Sequence, residues 1–263
     1  MKAGPKRQRQ AKPAPSKKAA VQGASRRTQA ERREASMTRI LDKAEELFSQ
    51  HGYYGVTLND VAKHSGTDAA LMRYYFGDKE QLFHALFARR ADIANTRRMA
   101  ALEAYEAKMG EAMTLEGAID AFIRPAFELM EEDDGWRNYG AIVAYVNSSR
   151  GQLRELMSEA FDPVSHKLIA MFRRMLPHAS DQEIFWGYHF LTGAFTYSLG
   201  QSGRIDALSG GVCSSSEFGA ISDRLPKVLA AGIEAICAAP PKSAKKKTPQ
   251  SKASAGAKRR RAD

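Results

Sequence analysis

The segment T-L-N-D-V-A-K-H-S-G-T-D-A-A-L-M-R-Y-Y-F-G-D-K-E-Q-L-F, residues 57–83, leaves the chain little choice of local structure. Thr57 is placed to cap a helix, and Asp60, three residues on, to reach back and complete a capping box. Leu58, Val61 and Ala62 then share one face, and the small Ala62 lets a second helix cross closely. Gly66 supplies the turn. Asp68 caps a second short helix over residues 69–76, in which Met72 and Phe76 face inward while Ala69, Ala70, Arg73 and Tyr74 face out. Gly77 and Asp78 break and recap the chain, and Leu82, Phe83, Leu86 and Phe87 start a further amphipathic helix that runs to about Met109. Upstream, Met37, Ile40, Leu41, Ala44, Leu47 and Phe48 keep the i, i+3, i+4, i+7 spacing of a helix that covers the pair. The expected product is a helix-turn-helix head.

In that order, A-x-x-L-F-x-x-x-G-Y (Ala44 to Tyr53), then T-x-x-D-V-A-x-x-S-G, then L-x-x-Y-F-x-x-K-E-x-L-F, the residues resemble the tetracycline-repressor (TetR) family of one-component transcriptional regulators. The resemblance covers residues 34–83; beyond them the chain is similar only in helical character and length. It implies a protein that reads a palindromic DNA site as a homodimer and is released by a small-molecule effector.

An α-helix fits the major groove, and in such a head the second helix enters with its N-terminal residues nearest the base edges. Those are Ala69, Ala70 and Leu71, whose methyl groups can pack on thymine methyls. Arg73 is the strong donor placed to grip guanine. Tyr74 and Tyr75 each combine a flat ring with a hydroxyl, and the resemblance assigns the first to bases or sugar and the second to a phosphate. Thr57 and Lys79, near helix N-termini, suit phosphates. Asp68 would repel a phosphate, so it is expected to act as a cap.

The charge is unevenly placed. Residues 1–33 carry 11 Lys/Arg against one acid and residues 240–263 carry 9 against one, which leaves 20 Lys/Arg against 28 Asp/Glu between them. Both ends lack the apolar residues needed to bury surface and are expected to be disordered basic tails, at 1–33 and 239–263. Such tails can hold phosphates without regard to sequence. No apolar run approaches the roughly 20 residues of a membrane span and no signal-peptide core is visible, so a cytoplasmic protein with no membrane partner is expected. Cys213 and Cys237 are too few for a disulfide framework and have no metal-ligand spacing. No cofactor or metal is expected. The histidines form no H-E-x-x-H pair, and neither a nucleophile elbow nor a Gly-rich phosphate loop appears, which argues against an enzyme.

From about residue 112 onward the pattern predicts five more helices, over residues 114–132, 136–149, 152–176, 180–202 and 217–237. Pro125 and Pro163 are expected to kink or interrupt theirs. Ser180-x-x-Glu183 and Ser214-x-x-Glu217 read as capping boxes. No strand-like alternation appears. The expected architecture is all-α: a head at 34–83 and a helical ligand-binding and dimerisation domain at 84–238, flanked by the tails.

The last two helices are apolar over more than one stripe, so one face is free to pair with a second copy in a four-helix bundle. The family resemblance places the dimer interface there, which names Phe190, Gly193, Ala194, Tyr197, Leu225, Val228, Leu229, Gly232 and Ile233. For the effector, expected to be a small hydrophobic or aromatic molecule, the aromatic side chains Phe122, Phe127, Trp136, Tyr145, Phe172 and Trp186 are candidate pocket walls, with Arg124 and His189 as polar anchors. The rival expectation is an architectural protein that coats DNA with little sequence preference, for which the basic tails are the evidence.

Overall fold

The computed structural model describes residues 28–238. Ten α-helices and one 3-10 turn build the described residues, with no strand among them. In chain order they are α1 (Gln29–His51), α2 (Leu58–Ser65), α3 (Ala69–Phe76), α4 (Lys79–Met109), α5 (Leu115–Glu132), α6 (Asp134–Asn147), α7 (Gln152–Met175), α8 (Asp181–Leu199), α9 (Arg204–Leu208) and α10 (Phe218–Cys237). The first three helices and the start of α4 form the head. The 31-residue α4 continues out of it and packs against α5 and α7 in the body. None of these helices is long and apolar enough to cross a membrane.

The boundaries follow local chemistry. Helix α1 begins at Gln29, so residues 29–33, expected in the N-terminal arm, are helical instead. The Thr28 hydroxyl accepts from the Glu31 amide at 3.2 Å and the Glu31 carboxylate accepts from the Thr28 amide at 2.7 Å, a capping box hidden in a basic stretch. The rest of the expected arm and the C-terminal tail lie outside the described residues. Single polar side chains cap α4 (Asp78), α5 (Thr114) and α6 (Asp133), and the Ser180 and Glu183 box opens α8.

One expectation fails here, the Ser214 cap, and two are refined. Pro125 and Pro163 interrupt neither α5 nor α7. Proline removes one N–H and loosens the preceding turn, and in both helices the carbonyl three residues earlier is taken by a side chain of α4. Arg98 Nε donates to Phe122 O at 2.9 Å, and Asn95 Nδ2 to Ala160 O at 2.6 Å. Ser214 does not cap α10. Its hydroxyl donates to Asp206 Oδ1 at 3.0 Å and the Ser215 amide to Asp206 Oδ2 at 2.9 Å, so the short α9, unforeseen from the pattern, captures the groups a capping box would need. The helix expected over residues 180–202 ends at Leu199, where the chain turns through Gln201 at φ 44° and Gly203 at φ 67° into α9.

One aromatic chain runs through the core from head to body. Phe48 meets Phe83 edge-on at 5.0 Å, Phe83 stacks near Phe87 at 6.3 Å, and Phe87 touches Tyr139 at 5.6 Å and Phe161 at 6.0 Å. The two halves therefore share a packed interior through α4, and displacement of one is felt by the other.

Candidate nucleic-acid interface and regulatory site

In the head the Thr57 hydroxyl accepts from the Asp60 amide at 3.2 Å and donates to Asp60 Oδ2 at 2.6 Å, while the Thr57 amide also donates to Oδ2 at 2.9 Å. These bonds hold the Asp60 carboxyl below its usual range. The Leu58 and Asn59 amides, next along the helix start, have no partner among the described residues and remain open for an anion. At the other end Arg39 of α1 donates to the Ser65 carbonyl at 3.0 Å, and Gly66 turns the chain in the left-handed region at φ 62°. Asp68 then caps α3 through the Ala70 amide at 2.7 Å. Side chains thus pin both ends of α2 and the start of α3.

The exposed face of α3 is presented by the burial of its other face. Met72 is fully buried and Phe76 nearly so, which turns Ala70, Leu71, Arg73 and Tyr74 to solvent with Ala69 half-buried beside them. Tyr74 is 75% exposed, and the Arg73 guanidinium has no hydrogen bond or ion pair among the described residues. Tyr75 is half-buried under the Arg33 guanidinium, 5.7 Å from its ring centre. Lys79 is more constrained than a free surface cation. Its ammonium donates to the Tyr53 carbonyl at 3.2 Å and lies 4.4 Å from the Tyr53 ring centre, leaving two N–H groups for a phosphate. Sequence reasoning passed over Tyr54, which is 79% exposed beside Lys79, because a single outward tyrosine after a Gly-Tyr pair carries no pattern.

The head is joined to the body by a buried ionic cluster. Glu45 of α1 is 1% exposed and accepts from Arg89 and from Arg90 of α4, the latter through Nε at 2.9 Å and Nη2 at 2.9 Å. Desolvation opposes the charge on Arg89, but Glu45 and Asp42 outweigh it and raise its pKa. The Arg90 guanidinium lies 4.6 Å from the ring centre of Trp136 on α6. Ser49 also bonds Asn138 at 3.0 Å, and Tyr145 packs against Gly52, where a Cβ would approach its ring to 3.2 Å.

In the body two small cavities of about 30 Å³ each, room for a water or two, share the walls Arg98, Val143, Phe161 and Phe195. Of the side chains expected to line a pocket, Trp136 borders the first and Phe122 the second. The others are placed elsewhere. Phe127 and Phe172 are sealed in the core, Phe127 between Phe195 at 5.6 Å and Phe218 at 6.0 Å. Tyr145 serves the contact with the head. Arg124 is a surface group paired with Asp120 at 2.7 Å. Trp186 and His189 point outward from α8, Trp186 stacking on Phe190 at 5.7 Å, and His189 reaches only the rim of an open groove between α7 and α8. The six aromatic positions come from helical apolar stripes, and a stripe does not say which of its members faces a void.

Arg98 was missed. It is 4% exposed and pairs with no carboxylate among the described residues; its one hydrogen bond is from Nε to the Phe122 carbonyl. The guanidinium lies 3.7 Å from the Phe122 ring centre and 5.3 Å from that of Phe195, and burial pushes its pKa down to about 10, so it is still a cation at neutral pH. The Tyr139 hydroxyl, on the first cavity, is buried with no partner among the described residues, and burial raises its pKa. In the sequence Arg98 follows Arg97 on a long helix and reads as one more solvated charge.

The faces of α8 and α10 turned away from the core are apolar. Phe185, Trp186, Phe190, Tyr197 and Val228 are each at least 48% exposed, and a Cβ on Gly193 or Gly232 would meet nothing within 4 Å. Ala194 and Leu225 lie half-buried at the edge of this face. Leu229 and Ile233 do not belong to it. They turn into the chain's own core, Ile233 sitting 3.2 Å from where a Gly187 Cβ would be. No group of three or more His, Cys, Asp or Glu among the described residues is arranged to hold a metal ion.

Two family profiles match the chain. One, described as "Bacterial regulatory proteins, tetR family", covers residues 40–86, and the other, "Tetracyclin repressor-like, C-terminal domain", covers residues 120–232. Among curated proteins the chain is 42% identical over 43 residues to the HTH-type transcriptional regulator BetI of Agrobacterium fabrum. It is 39% identical over 51 residues to the HTH-type transcriptional repressor AcnR of Corynebacterium efficiens. These stretches are 16% and 19% of this chain, and they span only 21% and 27% of the two relatives. Among solved structures, the regulator FadR from Bacillus subtilis, in complex with stearoyl-CoA, superposes with a TM-score of 0.52 at 16% identity, over 74% of this chain and 98% of that one. That likeness is one of fold.

Proposed function

The chain belongs to the tetR family of bacterial regulatory proteins, and from that premise we propose that it is a ligand-responsive transcriptional repressor acting as a homodimer in the cytoplasm. The observation that carries the reading is the exposed face of α3, with a guanidinium unpaired among the described residues and a 75% exposed tyrosine on a short helix capped by Asp68 and anchored in the core by Met72 and Phe76. Arg73 reads a base edge. Ala69, Ala70 and Leu71 pack on thymine methyls, and Tyr74 reaches base or sugar. The free amides at the start of α2 beside Thr57, together with Tyr75 and Lys79, hold phosphates on either side.

A second copy, seated on the apolar faces of α8 and α10 through Phe190, Gly193, Tyr197, Val228 and Gly232, supplies the second head. Two heads set about 34–36 Å apart read successive major grooves, which makes the operator a palindrome. Binding, not catalysis, is the chain's work. Release follows from linkage: an effector that prefers the body with its heads misplaced weakens operator binding by the factor by which the operator weakens effector binding. The route on which this reading relies runs from the cavity wall at Trp136 to Arg90 and so to Glu45 of α1.

Selection of bound sequences from a random DNA pool tests the proposal. A palindrome preferred over random DNA by about 10³-fold or more supports it, and indifference to sequence refutes it. On the recovered site Arg73→Ala is expected to cost about 1–3 kcal/mol and to relax one base position. Equal losses on operator and random DNA would remove Arg73 from base reading.

A further inference from the structure

Arg98 is the one described residue whose charge the fold buries without an acid to match it, and two void spaces flank it. A guanidinium has five N–H donors in a planar fork. Here Nε alone is bonded, to Phe122 O, and the aromatic rings around it offer quadrupoles in place of hydrogen bonds. Leaving a cation so placed is costly unless a counter-charge arrives. The Tyr139 hydroxyl, buried on the wall of the same first cavity with no partner among the described residues, is a second donor lacking an acceptor there. Two orphaned donors thus border one void whose other walls are apolar, including Leu129, Met130 and Val143.

We propose that the effector is an apolar carboxylate whose anionic head is gripped by Arg98, with Tyr139 donating to it and the body of the molecule displacing the aromatic walls. A carboxylate matches the guanidinium fork with two parallel hydrogen bonds, which neither a neutral amide nor an alcohol can do. The path of entry is the groove of about 350 Å³ between α7 and α8, which shares Met157, Phe161, Ser165, Tyr188 and Thr192 with the second cavity. The Tyr188 hydroxyl closes its inner end by donating to Ser165 Oγ at 2.6 Å. The cavities are too small for such a molecule as they stand, so entry parts Phe161 and Phe195 and pulls Arg98 off the Phe122 carbonyl. Because Arg98 lies on α4, which carries Arg89 and Arg90 at its head end, that pull reaches the head. This inference rests on the repressor reading for its consequence at DNA, but not for the binding itself.

The test is calorimetric titration of the full chain with decanoate and 4-phenylbutyrate, each against its own amide. At least one acid is expected to bind tenfold or more tightly than its amide, and the two acids distinguish an aliphatic from an aromatic body. Arg98→Met should lose that preference while binding the amide as before. Arg98→Lys, which keeps the charge but not the fork, should retain part of it. Acid and amide of equal affinity in the unaltered chain, or an acid preference that survives Arg98→Met, overturns the proposal. The unaltered chain suffices for the first comparison, should the variants not fold. Operator binding measured alongside separates the two readings: carboxylate binding without any operator preference leaves the ligand site standing and refutes the repressor.

Discussion

Glu45 joins the DNA-binding head to α4, and Glu45→Gln tests that joint. The side chain is 1% exposed and both its oxygens accept N–H groups from Arg89 and Arg90, whose side chains are 26% and 14% exposed. The amide keeps one acceptor oxygen but turns an NH₂ toward two guanidinium groups, stranding charge in a dry environment. Removing one partner of a fully buried pair costs about 3–5 kcal/mol. Arg89 is partly solvated and keeps Asp42 at 2.9 Å, so part of its loss is recovered. The expected cost is about 3 kcal/mol, which lowers the melting temperature of a body this size by about 6–12 °C. The measurement is thermal and urea unfolding of both proteins at one fixed concentration, because the proposed dimerisation makes stability concentration-dependent. The same variant should show a weakened link between effector and operator affinities, since α1 no longer follows α4. A stability loss below about 1 kcal/mol, with effector response intact, would refute the idea that this cluster couples head to body.

Thr57→Ala removes the hydroxyl from the α2 capping box and should cost about 1 kcal/mol of stability, read by unfolding, with a further loss of operator affinity as the helix start frays. Thr57→Ser should restore both. Phe190→Glu combined with Val228→Glu places charges on the exposed faces of α8 and α10. It is expected to yield a folded monomer by light scattering and circular dichroism, whose operator affinity falls to that of a single half-site. A dimer that persists would move the interface elsewhere. Acidification should loosen α4 from α7: hydrogen bonding from Lys167, with the nearby charges of Lys167 and Arg174, holds the Glu106 carboxyl below its usual range. A depressed carboxyl pKa contributes stability above the unfolded value that is lost as pH falls through the folded one. Glu106→Gln should therefore flatten the stability profile on the acid side, and an unchanged profile would exclude that role.

The head was legible in the sequence because its determinants are local. A capping threonine, an aspartate three residues on, a glycine that can adopt φ 62° and apolar residues at helical spacing each act within a turn or two of themselves. Their order alone sets two helices, and the burial of Met72 and Phe76 decides which face of α3 meets solvent. The positions of nearly all the later helices followed from the same periodicity, and so did the apolar character of α8 and α10.

What periodicity cannot say is which neighbour a stripe meets. Leu229 and Ile233 lie on the row of α10 next to Val228 and Gly232, yet the first pair fills the core and the second faces out, with Ile233 packed where Gly187 carries no side chain. Ser214 and Glu217 have capping-box spacing, but Asp206, distant by eight residues, takes the hydroxyl first. Above all, the sequence writes Arg98 and Arg97 alike. Only the packing of α4 against α5, α6, α7 and α8 puts one guanidinium among Phe122, Phe161 and Phe195 and leaves the other on the surface. Local propensities chose the helices and the turn between them; the voids, the ionic joint at Glu45 and the stranded cation exist only where helices far apart in the chain converge, since burial and unmatched charge are properties of the assembled interior.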